Sequence, residues 1–137
     1  MKPGDKIFDV GCGSGRDLLW LKTRGFSVMG FERSEGLAAL ARKYADCDII
    51  EGDFEHYDFS KQTFDAILLS GSLAHIPHAR LETVFKNIVS GLCEGGNVLV
   101  SLKEGGGSSM DGDGRIFYFW QDEDLRDIFS KHDFKIL

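Results

Sequence analysis

Short apolar runs alternate with amphipathic stretches along almost the whole chain. Apolar or β-branched runs at Lys6–Val10, Ser27–Phe31, Asp48–Glu51, Phe64–Leu69 and Asn97–Leu102 predict five strands, and a sixth is expected to begin at Phe134. Several of these runs are continuously apolar, as strands are when helices cover both faces of their sheet. Between them lie helical patterns. One follows a glycine-rich turn at about Arg16–Thr23. A second starts after Ser34, a good N-cap, and its spacing puts Leu37, Leu40, Ala41 and Tyr44 on the predicted inner face. A third carries Leu81, Val84, Phe85, Ile88, Val89 and Leu92 at three- and four-residue steps and ends near Gly91–Gly96. The last is expected over Asp122–His132, capped by Asp122, with Leu125, Ile128 and Phe129 facing inward. Strand and helix in alternation predict an α/β fold: a doubly wound, mostly parallel sheet in three layers, α-β-α.

Two stretches depart from that rhythm. Lys103–Gly114, KEGGGSSMDGDG, reads as a flexible loop at the carboxyl end of the sheet, either a mobile surface loop or a lid. It lacks the G-K-[ST] ending of a phosphate-binding loop. The aromatic run Arg115–Trp120, RIFYFW, reads as a short strand or core packing.

With 137 residues the chain is long enough for one domain, taken as residues 1–137. The formal net charge of −6, with no Lys/Arg cluster, disfavours a nucleic-acid partner. Three cysteines without C-x-x-C spacing fit neither a disulfide framework nor a zinc site, and suit a reducing cytosol. No apolar run reaches the roughly 20 residues of a membrane span.

The first strand runs into Gly11-x-Gly13-x-Gly15, where small residues let backbone approach a ligand closely. A dinucleotide loop reads G-x-G-x-x-G, and its third glycine would fall on Arg16, so the spacing is off by one. The acidic residues narrow the choice. Glu32 ends the second strand, where a carboxylate can accept hydrogen bonds from both hydroxyls of a ribose. Asp53 follows the third strand in IIEGDFE, placed to reach an adenine amino group with Phe54 beside the ring. A nicotinamide dinucleotide site has no need of that second acid.

IFDVGCGSG, VMGFERS, EGDFE, FDAILLSGSLAHIP and LCEGGNVLVS together resemble the class I S-adenosylmethionine-dependent methyltransferases, especially small bacterial enzymes acting on small molecules. The resemblance covers almost the whole chain and implies a Rossmann-like fold, with S-adenosylmethionine as cofactor and S-adenosylhomocysteine as product. It also implies roles. Gly11, Gly13 and Gly15 would admit the cofactor's methionine and ribose, with Cys12 filling space in the loop. Asp9 would orient the amino group, and Arg16 is either a partner of the methionine carboxylate or an exposed helix residue. Glu32, with Arg33 beside it, would hold the ribose and Asp53 and Phe54 the adenine. Backbone at Leu69 and Ser70 would face the methionine.

Methyl transfer from a sulfonium asks mainly for alignment, so neither a catalytic triad nor a metal site is expected, and none is visible. His75, just past the fourth strand, is the candidate catalytic base where an acceptor must lose a proton; the competing reading is that it hydrogen-bonds backbone and shapes its loop. Compared with the family, the chain is expected to lack the helical cover before the first strand and the last strand of the sheet. The C-terminally truncated sheet would then have an open edge, through which a homodimer could form. The alternatives are an inactive cofactor-binding or interaction domain on the same fold and, third, an NAD-dependent oxidoreductase.

Overall fold

The computed structural model describes residues 1–137. Strands β1 (Lys6–Val10), β2 (Ser27–Glu32), β3 (Ile49–Glu51), β4 (Phe64–Ser70) and β5 (Leu92–Ser101) form one sheet in the order β3-β2-β1-β4-β5. All four pairings are parallel. The chain winds outward from β1 in both directions, so a crevice opens between the carboxyl ends of β1 and β4, where doubly wound sheets bind ligands.

Helices α1 (Arg16–Thr23) and α2 (Glu35–Ala45) cover one face; α3 (His78–Val89) and α4 (Asp122–Lys131) lie on the other. Side chains alternate accordingly. Ile7 packs with Leu21 of α1, whereas Phe8 and Val10 enter the larger core with Phe31, Phe59, Phe85 and Ile88. Phe8 is central to it, stacked on Phe64 at 4.2 Å between ring centroids. Phe8, Phe31, Phe59, Phe64 and Phe85 are therefore all spent on the α3 side.

Four expectations change. The inner face of α2 is Ala38, Ala41 and Ala45, while Leu37, Leu40 and Tyr44 are 39%, 55% and 51% exposed. The reason is proximity: a Cβ on Gly15 would lie 3.0 Å from the Ala41 Cα, so only small residues fit where α2 meets the glycine turn. Second, β5 begins at Leu92, not Asn97. Phe64 pairs with Leu92 and Ala66 with Asn97, and the surplus residues bulge out of register. Third, no strand forms at Phe134; that ring packs on Phe85 in a segment without regular structure. Fourth, α4 is preceded by Gln121 without a side-chain cap, and Asp122 is its first residue. Ser34 does cap α2, its Oγ accepting from the Leu37 N–H at 3.3 Å.

The loop after β5 is partly ordered. Within it β6 (Ser108–Met110) pairs antiparallel with β7 (Ile116–Tyr118), so the aromatic run does supply a short strand.

On the α1 face no helix covers β4 and β5. Leu99 is 64% exposed there, and a groove of about 680 Å³ runs past Ile7, Trp20, Ala66, Leu68 and Leu99.

Candidate functional site

The glycine turn is held by backbone. Gly11 and Cys12 both donate to the Phe31 carbonyl, at 2.7 and 3.0 Å, tying the end of β1 to β2. Gly13 takes φ +58 and a Cβ there would meet nothing within 4 Å, so the open side of the turn faces free space. Gly15, at φ +90, is pressed against Ala41 and opens α1 without a side-chain cap. Its left-handed backbone and that contact both exclude a side chain.

Glu32 is 9% exposed and spans two elements. Its Oε1 accepts from the Gly13 N–H at 2.9 Å and its Oε2 from the Ser34 N–H at 2.8 Å. One carboxylate thus fixes the turn to the start of α2. Each oxygen keeps lone-pair capacity for a further donor such as a sugar hydroxyl.

Asp9 is 2% exposed at the end of β1. Its carboxyl is pushed up to about 7, first by burial, then by Asp17 and by Glu32. Nothing pairs with it to offset the lost hydration. Cys12 lies beside this acidic group, and its thiol is pushed up to about 12, chiefly by burial with Asp9 and Glu32 adding to it. A thiol held in that form is no nucleophile near neutrality, consistent with a space-filling role.

Asp53 lies one turn beyond β3. Its Oδ1 accepts from the Glu55 N–H at 2.9 Å, and His56 stands 3.9 Å from Oδ2. Phe54 is half-buried against the main core. Arg16 and Arg33 are exposed. The Leu69 side chain is fully buried, leaving only its backbone to face a ligand, while Ser70 is exposed at the tip of β4.

The histidines after β4 hold the hairpin. His75 Nδ1 is 2.7 Å from the Ile116 carbonyl, and His78 Nε2 is 2.7 Å from the Phe119 carbonyl. The His75 ring packs on Phe117 at 4.5 Å, and the Tyr118 N–H donates to the Ala74 carbonyl at 2.8 Å. The structure therefore gives His75 the loop-shaping contact weighed in the sequence; its Nε2 is left for other partners.

Two contributors escaped the sequence reading. The Ser72 hydroxyl donates to the Val10 carbonyl, and a Cβ on Gly11 would lie 2.7 Å from the Ser72 Oγ, so the β4–α3 loop closes against the turn. Asp17 adds its charge to Asp9 from the first turn of α1. The SGS following β4 was the one visible hint of the first. Only the fold could reveal the second.

The profile of the family described as "methyltransferase domain" matches residues 7–96. Among curated proteins, the sterol 24-C-methyltransferase ERG6 of Saccharomyces cerevisiae is 33% identical over 107 residues, which are 71% of this chain and 27% of that protein. Among solved structures, a SAM-dependent methyltransferase of Methanosarcina mazei superposes with a TM-score of 0.85 at 18% identity, covering 100% of this chain and 82% of the other. The magnesium protoporphyrin IX methyltransferase of Synechocystis, solved with bound SAH, gives 0.80 at 18% identity, covering 98% and 66%. The structural likenesses establish the fold. The chain spans about a quarter of the length of such curated relatives.

Proposed function

We propose, from the premise that this chain belongs to the methyltransferase-domain family, that it transfers a methyl group from S-adenosylmethionine to a small-molecule acceptor. The observation that carries this reading is Glu32, which is buried, fastened to the glycine turn, and stands one strand away from Asp53. Acids at the ends of two neighbouring strands suit an adenosine, with Glu32 on the ribose and Asp53 and Phe54 at the base. The residues fit such a cofactor on three local grounds: the free space outside Gly13, the spare acceptor capacity of Glu32, and an Asp9 carboxyl with no partner. Gly11, Gly13, Gly15 and the backbone of Leu69 and Ser70 would flank the methionine portion, with Arg16 at the start of α1 a candidate for its carboxylate and Arg33 beside Glu32 at the ribose.

When bound, the cofactor supplies an activated methyl on a sulfonium. The chain's own work is to align the acceptor opposite the sulfur and keep water away, and orientation of this kind lowers a barrier by about 7–11 kcal/mol. Where the acceptor carries a proton, Nε2 of His75 is the candidate to take it.

A small-molecule acceptor is supported by the acidic balance of the chain and by the sterol specificity in the yeast relative's name. The free thiols of Cys12, Cys47 and Cys93 support a cytosolic setting. The outer edge of β5, a ten-residue strand paired only to β4, supports self-association of two copies.

The test is calorimetric titration with S-adenosylmethionine, S-adenosylhomocysteine and NAD, on the wild type, Glu32→Gln and Asp53→Ala. Saturable binding of the first two, weakened about tenfold or more in both variants, is expected. Preference for NAD would move the chain to the oxidoreductases. Binding of none would make it an interaction domain.

A further inference from the structure

We propose that Lys103, lying on the Phe117 ring beside His75, anchors an anionic group of the methyl acceptor, so that the acceptors of this chain are small molecules bearing a carboxylate or a phosphate. The inference rests on the methyltransferase reading above.

The three residues meet at the carboxyl end of the sheet, next to the glycine turn. Ser70 at the tip of β4 is in register with Ser101 at the tip of β5, and the Gly71 N–H donates to the Ser101 carbonyl at 3.1 Å. From the β4 tip the chain runs through Ser72, bonded to the Val10 carbonyl, to His75. From the β5 tip it runs directly to Lys103. Both side chains reach Phe117 of β7. The His75 ring stands 4.5 Å from it between centroids, and the Lys103 Nζ is 4.7 Å from its centroid. The hairpin that carries Phe117 is tied down on both sides. The β4 loop holds it through His75, His78 and the Ala74 carbonyl, and the Trp120 N–H donates to the Lys103 carbonyl at 3.0 Å. Phe117 is therefore a fixed platform, as a residue that sets specificity needs to be.

Charge gathers on this ring. Of the three cation–ring contacts in the chain, two fall on Phe117, from Lys103 and from Arg115, whose Cζ is 5.9 Å away. The negative face of an aromatic ring attracts a cation without neutralising it. What separates the two cations is their other partners. Arg115 is met by Asp111 at 3.1 Å and Asp113 at 3.9 Å. Lys103 forms no ion pair, not even with neighbouring Glu104. Its stem covers the ring while its ammonium keeps its N–H donors for an incoming acceptor group. His75 is oriented for the complementary task. The Ile116 carbonyl can only accept, so Nδ1 carries the hydrogen and the neutral ring presents a lone pair at Nε2. A cation to hold an anion and a base to receive a proton thus share one aromatic platform. The net charge of −6 does not cancel this, because charges are screened over about 8 Å at physiological salt and the local partners decide. A neutral acceptor would leave the Lys103 ammonium unanswered.

The experiment titrates benzoate, inorganic phosphate and the neutral amide benzamide into the chain saturated with S-adenosylhomocysteine, following the NMR signals of His75 and Phe117. Benzoate or phosphate should bind saturably and move both signals; benzamide should not. Tighter binding of benzoate marks a carboxylate acceptor, and tighter binding of phosphate a phosphorylated one. The affinity should fall about tenfold in Lys103→Gln, the size of a lost hydrogen bond to a charged group. It should stay within about threefold in Lys103→Arg and in Lys43→Gln, which alters an exposed lysine of α2. Affinity for S-adenosylhomocysteine should change less than about twofold in all three variants, which checks that they are folded. Benzamide binding as tightly as benzoate, equal anion affinity in the wild type and Lys103→Gln, or signals that stay put would overturn the inference while S-adenosylhomocysteine binding leaves the methyltransferase reading intact. Failure of the wild type to bind S-adenosylhomocysteine overturns both.

Discussion

The two halves of the sheet are built to different standards. Around β1, β2 and β3 both faces are closed, by α1 and α2 on one side and by the aromatic core on the other. There the glycine turn is pinned at three points: Gly15 by Ala41, Gly13 by Glu32, and Gly11 by Ser72 from the loop after β4. Around β4 and β5 only the α3 side is closed, and Leu99 faces solvent across a groove. The lesson is that the candidate site is concentrated where packing is complete. A turn can be held to a fraction of an ångström only if its neighbours cannot retreat.

The largest effect that would break this contrast is expected at Gly15. Gly15→Ala places a side chain at φ +90 and 3.0 Å from the α2 backbone. Strain and overpacking together should cost roughly 3–5 kcal/mol. Denaturant unfolding measures the loss, and cofactor binding should vanish with it.

Next comes the pH dependence of stability in the same half. Burial, Asp17 and Glu32 hold Asp9 near 7 in the folded chain, far above its unfolded value of 3.8. Between those values the folded form binds the extra proton, so stability falls as pH rises from about 4 to about 7 and is level above. The loss from this one group is up to about 4 kcal/mol. It should appear as the difference between wild-type and Asp9→Asn unfolding curves across that window. A flat difference would mean that Asp9 is better solvated than its burial suggests.

The smallest stability effect belongs to the open half. Leu99→Lys removes an exposed apolar side chain and should change stability by less than about 0.5 kcal/mol. It should also lower any self-association seen by light scattering, since exposed apolar strands invite pairing. A loss of several kcal/mol would show that this face is covered in solution.

How much of this was legible beforehand differs between the halves too. The strand and helix alternation, the glycine turn and the positions of Glu32 and Asp53 could be read from local spacing, because each is dictated by neighbours in sequence. The inner face of α2 could not. Periodicity favours the larger residues Leu37, Leu40 and Tyr44, but tertiary proximity to Gly15 selects Ala38, Ala41 and Ala45 instead. The early start of β5 was hidden because a bulge interrupts period-two alternation. The hairpin was hidden because its first strand, Ser108–Met110, is short, polar and exposed, and is defined mainly by its partner. The raised proton affinity of Asp9 was hidden for a related reason: it is buried, and Asp17 and Glu32 converge on it, only after the crossover helix folds back over the sheet.

Glu32 carries one more implication, for the timing of ligand capture. Because its two oxygens already clamp the turn to the beginning of α2, a ligand arriving there finds a surface shaped in advance. Little ordering remains to be done after the encounter, so capture should proceed in one kinetic phase whose rate rises linearly with ligand concentration.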